Sequence, residues 1–374
     1  MAVKKGKVLV GMSGGVDSSV TACLLKEQGY EVIGIHLRFW TDPAIFSEEE
    51  KHKFPQNKCC TLEGLAKTRR VAHKLDIPFY VLNFEDAFKT EVIDYFIEGY
   101  ESGITPNPCI ECNRNIKFGL FLQKMKELGA DYIATGHYAR VHQKKDGTYE
   151  LLKAKDTTKD QSYFLYTLTQ EKLKHTLFPI GEYTKKEVRE LAKKFGIDEV
   201  NNQKESQNLC FFPEKTHGPF LKRHLNKKSF LPGPIKTVDG DIIGQHKGLP
   251  HYTIGQRKGL GIGGIKGYEH LEGEGWYVIR LDKADNALIV GQDKHLFHEN
   301  LQASNLSFVS GKAPEKTLQI EAKIRARFPQ QKGTVSITED EAVVDFDRPQ
   351  RAITPGQSVV FYEGEKVLGG GVIL

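Results

Sequence analysis

The 374-residue sequence predicts an α/β fold: a doubly wound parallel sheet followed by a small middle domain and a C-terminal β-barrel. Three observations carry this reading. Strand-length apolar runs alternate with helical patterns over the first two hundred residues, the rhythm of βαβ units. From about Phe212 glycine and proline rise and helical periodicity fades. From about Asp285 short apolar runs follow one another at close intervals, separated by turns, as in a small barrel. The expected domains are 1–212, 213–284 and 285–374, in keeping with a length that is great for one domain.

The elements follow in order. KVLVGM, from Lys7, is the first strand; SGGVDSS, Ser13 to Ser19, is a loop; VTACLLKEQ is a helix that stops at Gly29. EVIGIHLRF, from Glu31, is a second buried strand. Thr41 to Lys58 has no period and reads as a loop, and TLEGLAKTRRVAHKL has apolar residues at helical spacing. IPFYVLNF is a third strand, AFKTEVIDYFIEGY a helix, Lys117 to Leu128 another helix closed by Gly129, and DYIATG a fourth strand. Tyr138 to Lys153 reads as a hairpin turning at Asp146-Gly147. TKKEVRELAKKFG is an amphipathic helix with a capping box, Thr184 and Glu187, and a stop at Gly196. The middle segment LPGPIKTVDGDIIGQHKGLPHYTIGQRKGLGIGG is turn-rich. The barrel strands are ALIVG, LQIEAKIRARF, GTVSITE, EAVVDF, QSVVFY and KVLGGGVIL.

Charged residues make up 27% and the net charge is +5, which permits a nucleic-acid partner without requiring one. No apolar run is long enough to span a bilayer, and the short N-terminal one lacks a cleavage-like end, so the expected location is the cytoplasm, away from membranes. In a reducing compartment the six cysteines, Cys23, Cys59, Cys60, Cys109, Cys112 and Cys210, are thiols, catalytic groups or metal ligands rather than structural bridges.

The stretch with the clearest chemistry is the first strand, loop and helix. Helix N-terminal N–H groups and the helix dipole favour an anion, Gly14 and Gly15 let the backbone approach it, and Ser13, Ser18 and Ser19 add hydroxyls. Neither GxxxxGK[ST] nor GxGxxG is present here; GLGIGGIKG, later in the chain, lacks a strand-then-helix setting and is not read as a cofactor loop. TPNPCIECNR, Thr105 to Arg114, is a proline-stiffened loop running into a helix; it sets Cys112 near a helix N-terminus with Arg114 close by, both of which favour a thiolate. ESQNLCFF sets Cys210 about a hundred residues later in the same expected domain. Two distant thiols in polar loops can meet over one substrate; the plainer alternative is two small buried hydrophobes.

SGGVDSS resembles the pyrophosphate loop of enzymes that cleave ATP between its α and β phosphates. Together with TPNPCIECN, ATGHYAR, KDQSYFLY, SQNLCFF, HYTIGQRKGLGIGG and the closing ITPGQSVVFY, in that order over nearly the whole chain, the sequence resembles the tRNA-specific 2-thiouridylases. The resemblance implies an adenine nucleotide α-hydrolase-like first domain and a transferase that replaces the C2 oxygen of the wobble uridine, position 34, with sulfur. It implies ATP and Mg²⁺, with Gly11, Met12, Ser13, Gly14, Gly15, Val16, Asp17, Ser18, Leu37 and Gly136 at the nucleotide. Cys210 corresponds to the family's persulfide carrier and Cys112 to its nucleophilic partner, the pair closing a disulfide after sulfur release. Asn107, Pro108 and Cys109 correspond to the positions at the target base, and His137, Lys159, Asp160, Gln161, Arg325 and Gln357 to tRNA contacts. The implied partners are tRNA and a sulfur-relay persulfide donor, with the enzyme a monomer.

One departure stands out. Many members carry aspartate where this chain has Cys109, so no acid–base role of that aspartate transfers. Glu111 is the neighbouring carboxylate. The change creates a CxxC, Cys109 to Cys112, with Cys59-Cys60 upstream, which suits zinc or an iron–sulfur cluster as well as thiol chemistry. An iron–sulfur-dependent RNA thiolase is therefore one competing reading, and an amidating ATP pyrophosphatase another, although no ammonia-supplying site is evident. A non-catalytic RNA-binding protein is the competing reading of a different class. The basic run KRHLNKK, Lys222 to Lys228, and the strand expected to carry Arg325 and Arg327 are the other candidates for phosphate contacts.

Overall fold

A computed structural model describes residues 5–45, 62–197, 209–262, 275–314 and 316–374. The first sheet is wholly parallel, with β1 (Lys7–Gly11), β2 (Glu31–Arg38), β3 (Phe79–Asn83), β4 (Tyr132–Ala134) and β7 (Thr176–Leu177) in the order β3-β2-β1-β4-β7. The order reverses at β1, which places the switch point of the sheet at the end of the strand that feeds SGGVDSS. Val8, Leu9 and Val10 of β1 are fully buried. The edge strand β7 has two residues, too few for a periodic signal, and sequence patterning misses it.

Helix α1 (Val16–Glu27) leaves β1 through the glycine loop, and α2 (Leu62–Lys74) covers β2. Helix α3 (85–102) and helix α4 (108–127) each run α, π, α without a break. Helix α4 starts well before the expected Lys117. Pro108 sits at its first turn, where the missing N–H is no loss. Cys112 to Leu120 are π-helical, with Phe118 bent to φ −116°. The helix Lys185–Lys194 begins with the expected capping box: Thr184 accepts from the Glu187 N–H at 3.2 Å, and the Thr184 N–H donates to Glu187 at 2.6 Å.

The C-terminal barrel closes with β12 (Phe297–Phe308), β15 (Ala342–Arg351), β14 (Gln331–Ile337), β13 (Thr317–Lys323), β16 (Ser358–Glu363) and β17 (Lys366–Ile373), since β12 also pairs with β17. The hairpin β5 (Ala139–Gln143) and β6 (Tyr149–Lys153) belongs by sequence to the first domain, yet β6 pairs with β17 and extends the barrel sheet. The motif KDQSYFLY makes the joint. Tyr163 donates to the Ser358 carbonyl at 2.9 Å, and Ser162 and Tyr362 hydroxyls meet at 3.2 Å. Val360, Tyr362 and Val367 of the barrel share one core cluster with Leu9, Ile133 and Phe96 of the first domain.

The middle domain is a four-stranded sheet in the order β10 (Tyr277–Asp282), β11 (Ala287–Gly291), β8 (Gly233–Thr237), β9 (Ile242–His246). This corrects the boundary expected after 284. ALIVG is β11, antiparallel to β10 and parallel to β8, so it belongs to this sheet and not to the barrel. Phe220, Leu221 and Leu225, beyond the boundary expected after 212, pack with Phe211 and Phe212 in one core cluster. These aromatic side chains are buried together in edge-to-face and tilted contacts.

Candidate active site

The carboxyl ends of β1, β2 and β4 open into one cleft of about 1700 Å³, walled on its far side by the barrel. Ordinary small-ligand pockets run to roughly 1,000 Å³, so there is room for a nucleotide and part of a larger molecule.

The side of the cleft where the nucleotide is expected is the loop from Gly11 to Ser18. Gly11, Met12, Ser13, Gly15, Asp17 and Ser18 line the cleft, as do Leu37 at the end of β2 and Gly136 after β4. Gly15 is the N-cap of α1 and makes no side-chain cap, so the first turn of a twelve-residue helix keeps its N–H groups for the cleft. Ser18 braces the loop by accepting from the Ser13 N–H at 3.1 Å and donating to the Gly15 carbonyl at 3.2 Å. Gly14 and Val16 lie behind the loop rather than on the cleft wall. Gly14 has φ +82° and its missing Cβ would meet the Gly64 carbonyl oxygen at 2.5 Å, so this glycine shapes the loop.

Asp17 is already engaged. Lys185, 8% exposed, reaches both of its oxygens at 2.8 Å, and Tyr138 donates to it at 2.8 Å. Lys185 had no sequence signal, because it lies 168 residues away on another helix.

Cys112 in α4 and Cys210, in the segment after residue 208, both line the cleft, and neither is in a disulfide. Cys112 is 7% exposed; Cys210 and Cys109 are half-buried. Asn107, Pro108 and Cys109 line the same space. The barrel holds this loop from behind: Gln357 donates to the Thr105 carbonyl at 2.8 Å, and the Thr105 N–H donates to the Pro355 carbonyl at 2.9 Å. Glu111 does not line the cleft. It pairs with Arg114 at 3.2 Å and accepts from Asn115, while burial raises its carboxyl above the usual range. It is not a stand-in for the aspartate that Cys109 replaces.

The expected tRNA contacts divide. His137 lines the cleft but is buried between Phe118 and Phe178, with Nδ1 2.6 Å from the Thr135 hydroxyl; burial holds its pKa well below the usual value, so the ring is neutral. Asp160 shapes a turn, accepting from the Ala154 and Ser162 N–H groups and the Ser162 hydroxyl, and Gln161 accepts from the Tyr138 N–H at 2.9 Å. Arg325, expected on a strand, instead lies in the turn after β13, where its guanidinium donates to the Ala352 carbonyl at 2.9 Å and the Ile254 carbonyl at 3.3 Å. In KRHLNKK, Arg223 and His224 are spent on the fully buried Asp42 at 2.8 and 3.1 Å, so two of that run's five basic side chains are internal structure rather than an RNA patch.

Sequence patterning missed the charge balance of the cleft. Lys117, Lys153, Lys159, Lys215, Lys323, Arg325 and Arg327 line it, against Asp17 and Asp160 among the described residues. Seven cations facing two engaged carboxylates make a wall for a polyanion. The seven come from five separate stretches of chain, so no local run announces them. Among the described residues no group of three His, Cys, Asp or Glu is arranged to hold a metal ion. Cys59 and Cys60 lie outside the described residues, as does most of GLGIGGIKG. No described helix is long and apolar enough to cross a membrane.

Three family models match the chain: the tRNA methyl transferase HUP domain over 6–214, the tRNA methyl transferase PRC-barrel domain over 218–292, and the Aminomethyltransferase beta-barrel domain over 298–373. The tRNA-specific 2-thiouridylase MnmA of Clostridium perfringens is 47% identical over 370 residues, spanning 99% of this chain and 98% of its own. The protein of the same name from Symbiobacterium thermophilum is 49% identical over 370 residues, spanning 98% and 92%. A solved 4-thiouridine synthetase–RNA complex with bound ATP overlaps 58% of this chain and 49% of its own at 18% identity and a TM-score of 0.34, too loose to bear on function.

Proposed function

The chain belongs to the tRNA-specific 2-thiouridylases, transferases that put sulfur at C2 of a tRNA uridine, and from that premise we propose how its own residues perform the reaction. The observation that carries the proposal is the shared cleft: loop, paired cysteines, base-side loop and basic wall open onto the same space.

A uridine C2 oxygen is a poor leaving group. ATP binds with its phosphates on the N–H groups of the Gly11–Ser18 loop and its nucleoside against Leu37 and Gly136. The C2 oxygen of uridine 34 attacks the α phosphorus, pyrophosphate leaves, and the base carries AMP on that oxygen. Cys210, loaded as a persulfide by a sulfur-relay protein, supplies the sulfur. The Cys112 thiolate attacks the inner sulfur of the persulfide; the outer sulfur, released as a nucleophile, adds to C2. AMP then departs with the original oxygen, and Cys112 and Cys210 are left as a disulfide that a thiol reductant resets. Methyl transfer, named in the family-model descriptions, would leave the second thiol idle.

The basic wall binds the tRNA backbone, and the loop Asn107–Cys109 receives the splayed base. Gln357, Asp160, Gln161 and Arg325 serve by holding the walls in place as much as by touching RNA. Mg²⁺ travels with the ATP phosphates. The loop offers it no carboxylate, since Lys185 holds both oxygens of Asp17. The protein acts as a cytoplasmic monomer.

The test is a nucleoside mass spectrum of unmodified tRNA incubated with the protein, ATP, Mg²⁺ and a persulfide donor. A uridine that gains a sulfur-for-oxygen swap, only with ATP, supports the scheme. Thiolation retained in Cys210→Ser overturns it.

A further inference from the structure

Cytosine carries the same C2 oxygen as uracil, so the chemistry proposed above does not by itself select uridine. We infer that Asn113 makes this choice, its side-chain oxygen Oδ1 accepting the N3–H of the target uracil. The inference rests on the reading that uridine 34 enters this cleft to take sulfur at C2.

Three observations carry it. First, Asn113 follows Cys112 in the π-helical part of α4 and lines the cleft, 3% exposed. Second, its amide has one orientation. Nδ2 donates to the Phe164 carbonyl at 3.0 Å, and a carbonyl only accepts, so turning the amide round would set oxygen against oxygen. Phe164 also lines the cleft, and the neighbouring Tyr163 hydroxyl bonds both Asn107 of the base-side loop and the Ser358 carbonyl of the barrel. The Asn113 amide is thus held on the same joint as the base-side loop. Third, Oδ1 is buried and has no hydrogen-bond partner among the described residues. Buried acceptors in folded proteins are nearly always satisfied, so this one marks a place for a donor from a bound molecule.

Uracil supplies that donor. N3 is the ring atom bonded to C2, next to the oxygen that ATP activates and the carbon that takes sulfur. In cytosine at neutral pH, N3 carries a lone pair and no hydrogen. That lone pair would face Oδ1 and leave two acceptors buried and unpaired. Discrimination then comes from a penalty on the wrong base as much as from a bond to the right one.

The experiment compares two tRNAs that differ only at position 34, uridine or cytidine, with the full-length wild-type protein and Asn113→Leu. Both receive ATP, Mg²⁺ and a persulfide donor, thiolated nucleosides are read by mass spectrometry, and melts show that each protein is folded. The ratio of kcat/KM for uridine-34 over cytidine-34 tRNA cancels any loss common to both substrates. The expected result is a ratio at least about tenfold lower in the variant, through a slower uridine reaction and a cytidine reaction that does not slow. Asn113→Ala removes the same oxygen without adding bulk and gives the same fall should leucine not fit. Both tRNAs slowed in parallel, a wild-type protein without preference, or a cytidine-34 tRNA inert to both proteins overturns the inference and leaves uridine thiolation standing. Wild-type protein that thiolates neither tRNA overturns the proposed function as well.

Discussion

Gly136→Ala tests whether the nucleotide loop works by position. Gly136 follows β4 and its φ is not left-handed, so alanine adds no backbone strain; the effect is steric. The added Cβ would lie 2.7 Å from the Ser18 nitrogen, 2.9 Å from the Asp17 carbonyl carbon and 3.1 Å from the Asp17 Cβ. Two of these atoms are backbone in the first turn of α1 and cannot rotate away. The segments must part by about 0.7 Å to restore the 3.4 Å of ordinary contact. Overpacking of this kind costs about 1–3 kcal/mol of stability, too little to unfold a domain of this size. A displacement approaching 1 Å of the groups that hold a reacting phosphate costs about a hundredfold in rate. Pyrophosphate release in the presence of tRNA, followed with a thermal melt of the same sample, separates the two effects. The expected outcome is a melt within several degrees of wild type and a loss of about a hundredfold in kcat/KM for ATP. Wild-type turnover in Gly136→Ala would refute the reasoning.

Other outcomes follow from the same geometry. Cys112→Ser should lose thiolation by at least about a hundredfold while still releasing AMP from ATP in a tRNA-dependent way, read by nucleoside mass spectrometry and AMP assay together. Gln357→Ala removes the donor to the Thr105 carbonyl; about 1 kcal/mol of stability and a larger fall in thiolation rate are expected, compared by melt and single-turnover assay. Lys153→Gln and Lys323→Gln each remove one cation of the basic wall, so the slope of log Kd for tRNA against log salt should fall by about 1 with ATP binding unchanged. Asp42→Asn unpairs Arg223 and His224 from a buried carboxylate and should cost about 2–3 kcal/mol at pH 7. Hydrogen bonds from His224, Ala44 and Arg223 hold the Asp42 carboxyl below its usual value against the opposing effect of burial. A depressed folded pKa gives stability that is complete above about pH 4 and lost as pH falls through the folded value, so denaturant midpoints of variant and wild type should converge below about pH 4.

The parallel sheet was legible because β1, β2 and α1 each carry their own periodic or buried pattern, and the strand–loop–helix turn at Ser13 because its glycines and serines are contiguous. Cys112 and Cys210 were legible through ordered motifs and fall on one cleft. What sequence could not give was set by distant chain. Lys185 meets Asp17 from another helix, the Tyr138–Lys153 hairpin pairs with the barrel, and ALIVG reads as a strand without saying which sheet it joins. Pro108 looked like part of a loop because proline breaks helices in their interior, yet at the first turn it starts one. Asp160 and Arg325, read as RNA contacts, also bond to neighbouring backbone, a role that patterning does not distinguish from binding.

The central claim is that ATP activates the C2 oxygen of the uridine before sulfur arrives. It is tested most directly with tRNA carrying ¹⁸O at C2 of uridine 34, incubated with the persulfide-loaded protein and ATP, followed by mass spectrometry of the released AMP. The account predicts one ¹⁸O in the AMP phosphate for each uridine thiolated. Thiolated tRNA accompanied by unlabelled AMP would contradict it.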